Sequence, residues 1–244
     1  MSLSLKKTDA ARLLFVPQQN QLLAALSAEA QARLFPQLVL VELKAGQVLH
    51  EPSKTMRHAY FPLDCILALE CLLVNGHAAE VSVVGNEGLI GVSLCLGSLT
   101  AARQVVALGP GFAYRIAARQ LVQEFNRHGE LHTLVLRYTN CLMMQIAQTA
   151  VCSRYHSIGQ RLCRLLLLSM DRVRDNGLVM THELMAHMLG VRREGVTAAA
   201  SHLHELGIID YKRGHIAVLD RPRLQAHSCE CYSVVRKATA VCCP

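Results

Sequence analysis

MTHELMAHMLGVRREGVTAAASHLHELGIIDYKRGHIAVL, residues 180–219, is the stretch from which the rest of the chain is read. Thr181 is a good N-cap for a short helix, because its hydroxyl can accept from a free first-turn amide. Leu184, Met185, Met188 and Leu189 make one apolar face of that helix. Gly190 follows where a helix must stop and turn, since glycine enters the left-handed region without a Cβ penalty. A second helix begins near Arg192 and runs to Leu206, with Val196, Ala199, Ala200 and Leu203 on its inner side and Gly207 at its end. Two helices joined by a short glycine-containing turn, the second the longer, spell a helix-turn-helix. Ile208, Ile209 and Asp210, the tip Tyr211-Lys212-Arg213-Gly214-His215, and Ile216 to Val218 then read as a hairpin with a basic tip, a wing.

This arrangement carries a recognisable chemistry. The early outward positions of the second helix are Arg193, Glu194, Thr197 and Ala198. Arginine pairs bidentately with guanine O6 and N7, and glutamate accepts from cytosine N4, so these residues are expected to read bases in a major groove. Thr181, Arg192, Lys212 and Arg213 are expected on phosphates, which fix register without specifying sequence. The competing reading is a ligand, redox or metal sensor whose winged helix docks on a protein, with Arg193 and Glu194 no more than a solvated pair.

The whole chain agrees with the first reading. Its 244 residues are 52% hydrophobic and 18% charged, which excludes extended disorder and leaves room for one large or two ordinary domains. No apolar run approaches the roughly 18–20 residues needed to span a bilayer, and the start of the chain lacks a secretory pattern. A cytoplasmic protein without a membrane partner is expected. The net charge is +7, and it is unevenly placed. Residues 1–151 hold 12 Lys+Arg against 10 Asp+Glu, a net of +2, whereas residues 152–244 hold 13 against 8, a net of +5. The basic excess therefore travels with the wing and favours a polyanionic partner. Ten cysteines sit mostly in apolar segments and read as reduced, buried thiols.

Upstream, Asn20 and Ser27 each open a short helix. From Leu38 to about Ile116, short β-rich runs (VLVEL, QVLH, YFPL, CILALECLLV, AAEVSVV, RQVVAL, FAYRI) alternate with Gly, Asn and Pro turns, including NGH at 75–77. This spacing suggests a small antiparallel barrel or jelly roll rather than a βαβ nucleotide fold. A helix of over twenty residues follows, from about Glu130 to Cys152. Leu131, Val135, Tyr138, Leu142 and Ile146 stripe one of its faces at intervals of four, three, four and four. The stripe is either a dimer seam or the helix's packing against its own barrel. A further helix, about His156 to Arg174, leads through a turn at 174–177 to a short strand and the winged helix. The expected architecture is α+β: a β-roll over 18–128, a long dimerisation helix over 129–153, a winged helix-turn-helix over 154–227 and a tail over 228–244.

YFPLDCI, GNEG, the long helix and above all THELMAHMLGVRREGVTAAASHLHELGII with its wing resemble the Crp/Fnr superfamily of bacterial transcription regulators over about residues 20–225. The resemblance implies a cyclic-nucleotide-binding-like β-roll, a homodimer on two-fold symmetric double-stranded DNA, RNA polymerase as a candidate partner and an effector of unknown identity. By position, Arg193 and Glu194 match two of the family's base readers; the third falls at Ala198, where well-studied members carry arginine. Members that bind cyclic AMP carry Gly-Glu-Leu and Arg-Ser. Here the segment is GNEGLIGVSLCLGSLTAARQ, with Glu87, Arg103 and Gln104 as the candidate pocket residues, so a cyclic nucleotide is not expected. The first cysteine is Cys65, so an N-terminal iron-sulfur cluster is not expected either, and no other cofactor is assigned.

Two remaining clusters have residue types suited to metal chemistry. His128 and His132 lie four apart, and Cys229 and Cys231, preceded by His227, could meet the tail cysteines Cys242 and Cys243 in a soft-metal or thiol switch. Solvated histidines and packing thiols are the plainer reading, and no metal ligand is assigned. No nucleophile with a base and an orienter, and no placed carboxylate pair, points to catalysis.

Overall fold

The structure, a computed structural model, describes residues 14–74, 78–173, 177–212 and 214–242. The short helices α1 (Gln21–Ala24) and α2 (Ala28–Leu34) are capped as the sequence predicts, Asn20 accepting from Leu23 N and Ser27 from Ala30 N. Seven strands follow: β1 (Val39–Leu43), β2 (Val48–His50), β3 (His58–Pro62), β4 (Leu67–Leu72), β5 (Ala78–Val84), then, after the short helix α3 (Val92–Cys95), β6 (Gln104–Ala107) and β7 (Gly111–Ala117). They form two antiparallel sheets, ordered β1-β7-β3 and β2-β6-β4-β5. Leu40, Phe61, Leu67, Val84, Val105 and Ile116 from both sheets fill a single core between them, the β-roll.

Helix α4 (Ala118–Phe125) closes the roll and leads into α5 (Glu130–Tyr155), 26 residues long. Next come α6 (Ile158–Met170), opened by a full capping box between Ser157 and Gln160, and strand β8 (Gly177–Val179). The expected turn at 174–177 falls almost wholly outside the described residues, as does NGH at 75–77. Helices α7 (His182–Leu189) and α8 (Arg193–Glu205) and strands β9 (Ile209–Lys212) and β10 (His215–Val218) then complete a small sheet ordered β8-β10-β9. Two further helices end the described chain, α9 (Arg221–His227) and α10 (Cys231–Cys242). The segment read from sequence as a tail thus contains an ordered helix. It lies along α5 and α6, with Tyr232 and Val235 buried.

The strand β4 explains why its segment looked apolar throughout. Leu67 and Leu69 point into the β-roll core, whereas Ala68 faces outward into a second core built on α6, α7 and α8. Ile66, Val83 and Leu108 join Ala68 there, packed with Leu162, Leu166, Met185 and Val196. A strand covered on both faces has no polar side to present, so period-2 alternation disappears. The GNEG motif lies at the same junction. A Cβ on Gly85 would come within 2.6 Å of Arg172 Cβ, and one on Gly88 would collide with the Tyr138 ring of α5.

Candidate nucleic-acid interface

The helix-turn-helix is built locally as the sequence requires. Thr181 Oγ1 accepts from Leu184 N at 3.1 Å, and Gly190 takes φ 62°, turning the chain from α7 to α8. Met185, Met188, Val196, Ala200 and Leu203 are buried, which holds the two helices together and fixes which face of α8 looks outward. On that outward face Arg192, Arg193, Glu194 and Ala198 are exposed. Arg193 Nε lies 3.9 Å from Glu183 Oε2 with both side chains largely in solvent, a pair of small energetic weight. The solvated partner of Arg193 is therefore Glu183, not Glu194.

Thr197 is placed differently from its neighbours. It is half-buried, and His182 Nδ1 lies 3.1 Å from its hydroxyl. The His182 ring in turn packs on Tyr211 of the wing at 4.9 Å, and burial together with the nearby Arg193 charge holds it below the ordinary histidine range. Thr197 thus ties α8 to α7 and the wing, leaving Arg193, Glu194 and Ala198 as the freely presented candidates. Lys212 is exposed at the end of β9, and Gly214, at φ 83°, turns the wing back toward His215. Arg213, expected on a phosphate, lies outside the described residues.

The candidate effector residues separate. A cavity of about 460 Å³ opens between the β-roll and α5, lined by His50, Leu89, Val92, Arg103, Leu142 and Met143 among others. Arg103 Nε is buried there with no hydrogen-bond partner among the described residues. Gln104 instead begins β6 opposite Glu70 and does not line this cavity. Glu87 is corrected outright: it is 5% exposed and bonds Arg172 Nε at 2.7 Å. Arg172 also donates to Gln145 of α5 at 3.3 Å, so one buried network joins the roll, the long helix and the end of α6. Sequence could not have paired residues 85 positions apart.

The dimer-helix stripe is corrected as well. Leu131, Val135 and Tyr138 are buried in the chain's own β-roll core, and Leu142 packs partly against it. The exposed face of α5 is a different one: Leu136, Asn140, Met143, Ala147, Ala150 and Arg154, at intervals of four, three, four, three and four. His128 and His132 meet edge to face at 4.9 Å, with His132 also against Phe125 at 4.5 Å. Cys229 and Cys231 meet Cys152 and His156. The four ligand atoms lie within 4.8 Å of one another, while exposed His227 turns to Arg223 O. The side chains of Cys242 and Cys243 lie outside the described residues.

Fold and site together define a winged helix-turn-helix module joined by one long helix to a β-roll. Residues 160–227 match the family described as the Crp-like helix-turn-helix domain. The chain as a whole has the fold of the Crp/Fnr transcription regulators. It is similar to a putative Crp/Fnr-family regulator from Eubacterium rectale, at 18% identity over 84% of this chain and 96% of that one, with a TM-score of 0.65. FixK2 from Bradyrhizobium japonicum is similar at 14% identity over 79% and 98%, TM-score 0.66. The Crp/Fnr-family regulator TTHA1359 from Thermus thermophilus is similar at 19% over 78% and 98%, TM-score 0.60. No curated protein sequence matches the chain. Among the described residues no helix is long and apolar enough to cross a membrane.

Proposed function

We propose that this protein is a sequence-specific transcription regulator that binds a two-fold symmetric DNA site as a homodimer. The observation that carries the reading is the exposed start of α8 beside an exposed basic wing, with Arg192, Arg193 and Lys212 presented on one domain. No side chain caps α8, so its first amides stay available to a phosphate. Arg193 and Glu194 would read a G·C pair, Ala198 would offer at most a methyl contact to thymine, and Thr181, Arg192, Lys212 and Arg213 would hold phosphates. The homodimer is supported by the exposed heptad-like stripe of α5, whose Leu136, Met143 and Ala147 have the spacing of a coiled-coil seam.

The effector reading follows from the cavity beside α5. Its apolar lining and the half-buried Arg103, with its Nε out of solvent, suit a small anionic molecule, and the contact with Leu142 and Met143 would transmit occupancy to the helix pairing. Control by cyclic AMP is disfavoured because Glu87, the nearest candidate for a ribose contact, is held by Arg172. Mobility shifts with genomic fragments, repeated across salt, test the proposal. One class of fragment should bind far more tightly than the rest, in two half-sites about 34–36 Å apart. Uniformly weak binding to every fragment would overturn it.

A further inference from the structure

We propose that Cys152, His156, Cys229 and Cys231 form a tetrahedral site for a soft divalent cation, zinc, that clamps the hinge between the long helix and the winged helix. Three thiols and one imidazole converge from three separate parts of the fold. Cys152 sits in the last turn of α5, His156 at the hinge before α6, Cys229 in the link between α9 and α10, and Cys231 at the first residue of α10. Cys152 Sγ and Cys229 Sγ are 3.5 Å apart, and Cys231 Sγ is 3.5 Å from His156 Nδ1. Zinc–sulfur bonds of about 2.3 Å and zinc–nitrogen bonds of about 2.0–2.1 Å in a tetrahedron set ligand atoms roughly 3.5–3.8 Å apart, so little movement is needed to close the shell.

The surroundings are those of a metal site rather than of packed thiols. The three cysteines are at most 5% exposed, too closed for an open catalytic position and suited to a structural one. His156 turns Nδ1 toward the sulfurs and Nε2 toward Glu230 Oε2 at 3.3 Å, the carboxylate–histidine relay that fixes the ring of a metal ligand. Gln148 Nε2 donates to Cys231 Sγ at 3.0 Å, a bond that favours thiolate. Zinc with three thiolates would carry one net negative charge, and Arg161 and Arg164 lie close enough for their charge to act on Cys152. Thiolate-rich sets select zinc over harder cations. Binding expels the three thiol protons, so the site competes best above acidic pH.

The inference deepens the DNA-binding reading in one respect: by fixing the α5–α6 hinge to the α9–α10 link, the ion would fix where α8 sits relative to α5. The test uses the full chain, purified under reducing conditions from zinc-supplemented cells. Elemental analysis should find one zinc per chain, lost in the double variant Cys229→Ser and Cys231→Ser and kept in Cys95→Ser, which is outside the cluster. Should the double variant fail to fold, cobalt(II) added to the chelator-stripped parent should give the intense visible bands of tetrahedral cobalt thiolate. Chelation should lower the melting temperature and speed amide exchange around residues 152–158 and 229–231. Parent protein without metal and without the cobalt spectrum overturns the site, as does iron with labile sulfide in place of zinc, or a Cys152–Cys229 disulfide in the reduced preparation. Metal that can be removed with no change in exchange at the hinge overturns the clamp. None of these readouts uses DNA, so failure of the regulator reading leaves them intact.

Discussion

Arg193 and Lys212 are both exposed cations on the winged helix, yet their substitution should have different signatures. Arg193→Ala removes a bidentate donor and should cost about 1–3 kcal/mol on the preferred fragment while flattening discrimination at one base pair, measured by mobility shifts on a set of single-base variants. Lys212→Ala should weaken all fragments alike and reduce the salt dependence of binding by about one unit of slope. Full specific binding by the doubly substituted chain would count in favour of a protein-docking role instead. Local chemistry made these residues legible: caps, glycines and apolar spacing within forty residues fix which face of α8 is inside. Burial of a single ring was not legible. His50 is 7% exposed, lies 2.9 Å from His58 O, and burial pushes its pKa down. A folded state that keeps the ring neutral binds fewer protons than the unfolded chain once pH falls below about 6.5. The stability that His50 supplies is thus present above that pH and lost below it. Denaturant titrations of His50→Gln should show a shallower fall toward acid than those of the parent.

Helix α5 shows what periodicity can and cannot say. Its length and position were readable, but an α-helix of 26 residues has several faces, and apolar spacing does not name the neighbour of each. The stripe through Leu131, Val135 and Tyr138 was the stronger by composition and went to the β-roll, whereas Met143, 64% exposed, belongs to the face left outward. A third side, through Cys141, Gln148 and Cys152, meets α10 and the Cys229–Cys231 link, a partner that sequence could not supply because its contacts reach back some 80 to 100 residues. Leu136→Glu with Ala147→Glu should leave the fold intact and convert a dimer to monomers in sedimentation velocity, with loss of high-affinity DNA binding. A doubly substituted chain that still sediments as a dimer would move the seam elsewhere.

At the scale of the molecule, the β-roll and the winged helix share buried surface, and Glu87–Arg172 lies at their junction. Arg172→Met would strand Glu87 without its cation and should cost about 3–5 kcal/mol in denaturant unfolding, part of it recovered by adding Glu87→Gln. Calorimetry should likewise give one cooperative transition for the whole chain, and two well-separated transitions would contradict the shared core. The order of roll, helix and winged helix was legible because each announces itself locally. The union of roll and winged helix was not, since it depends on which outward positions of β4 and β5 are covered, by residues about a hundred places further on. For anyone assembling chimeric switches there is a practical corollary. Ile66, Ala68, Val83 and Leu108 form a greasy plate whose lid is the winged helix, so transplanting either piece alone would bare an oily surface, and plate and lid must be moved together.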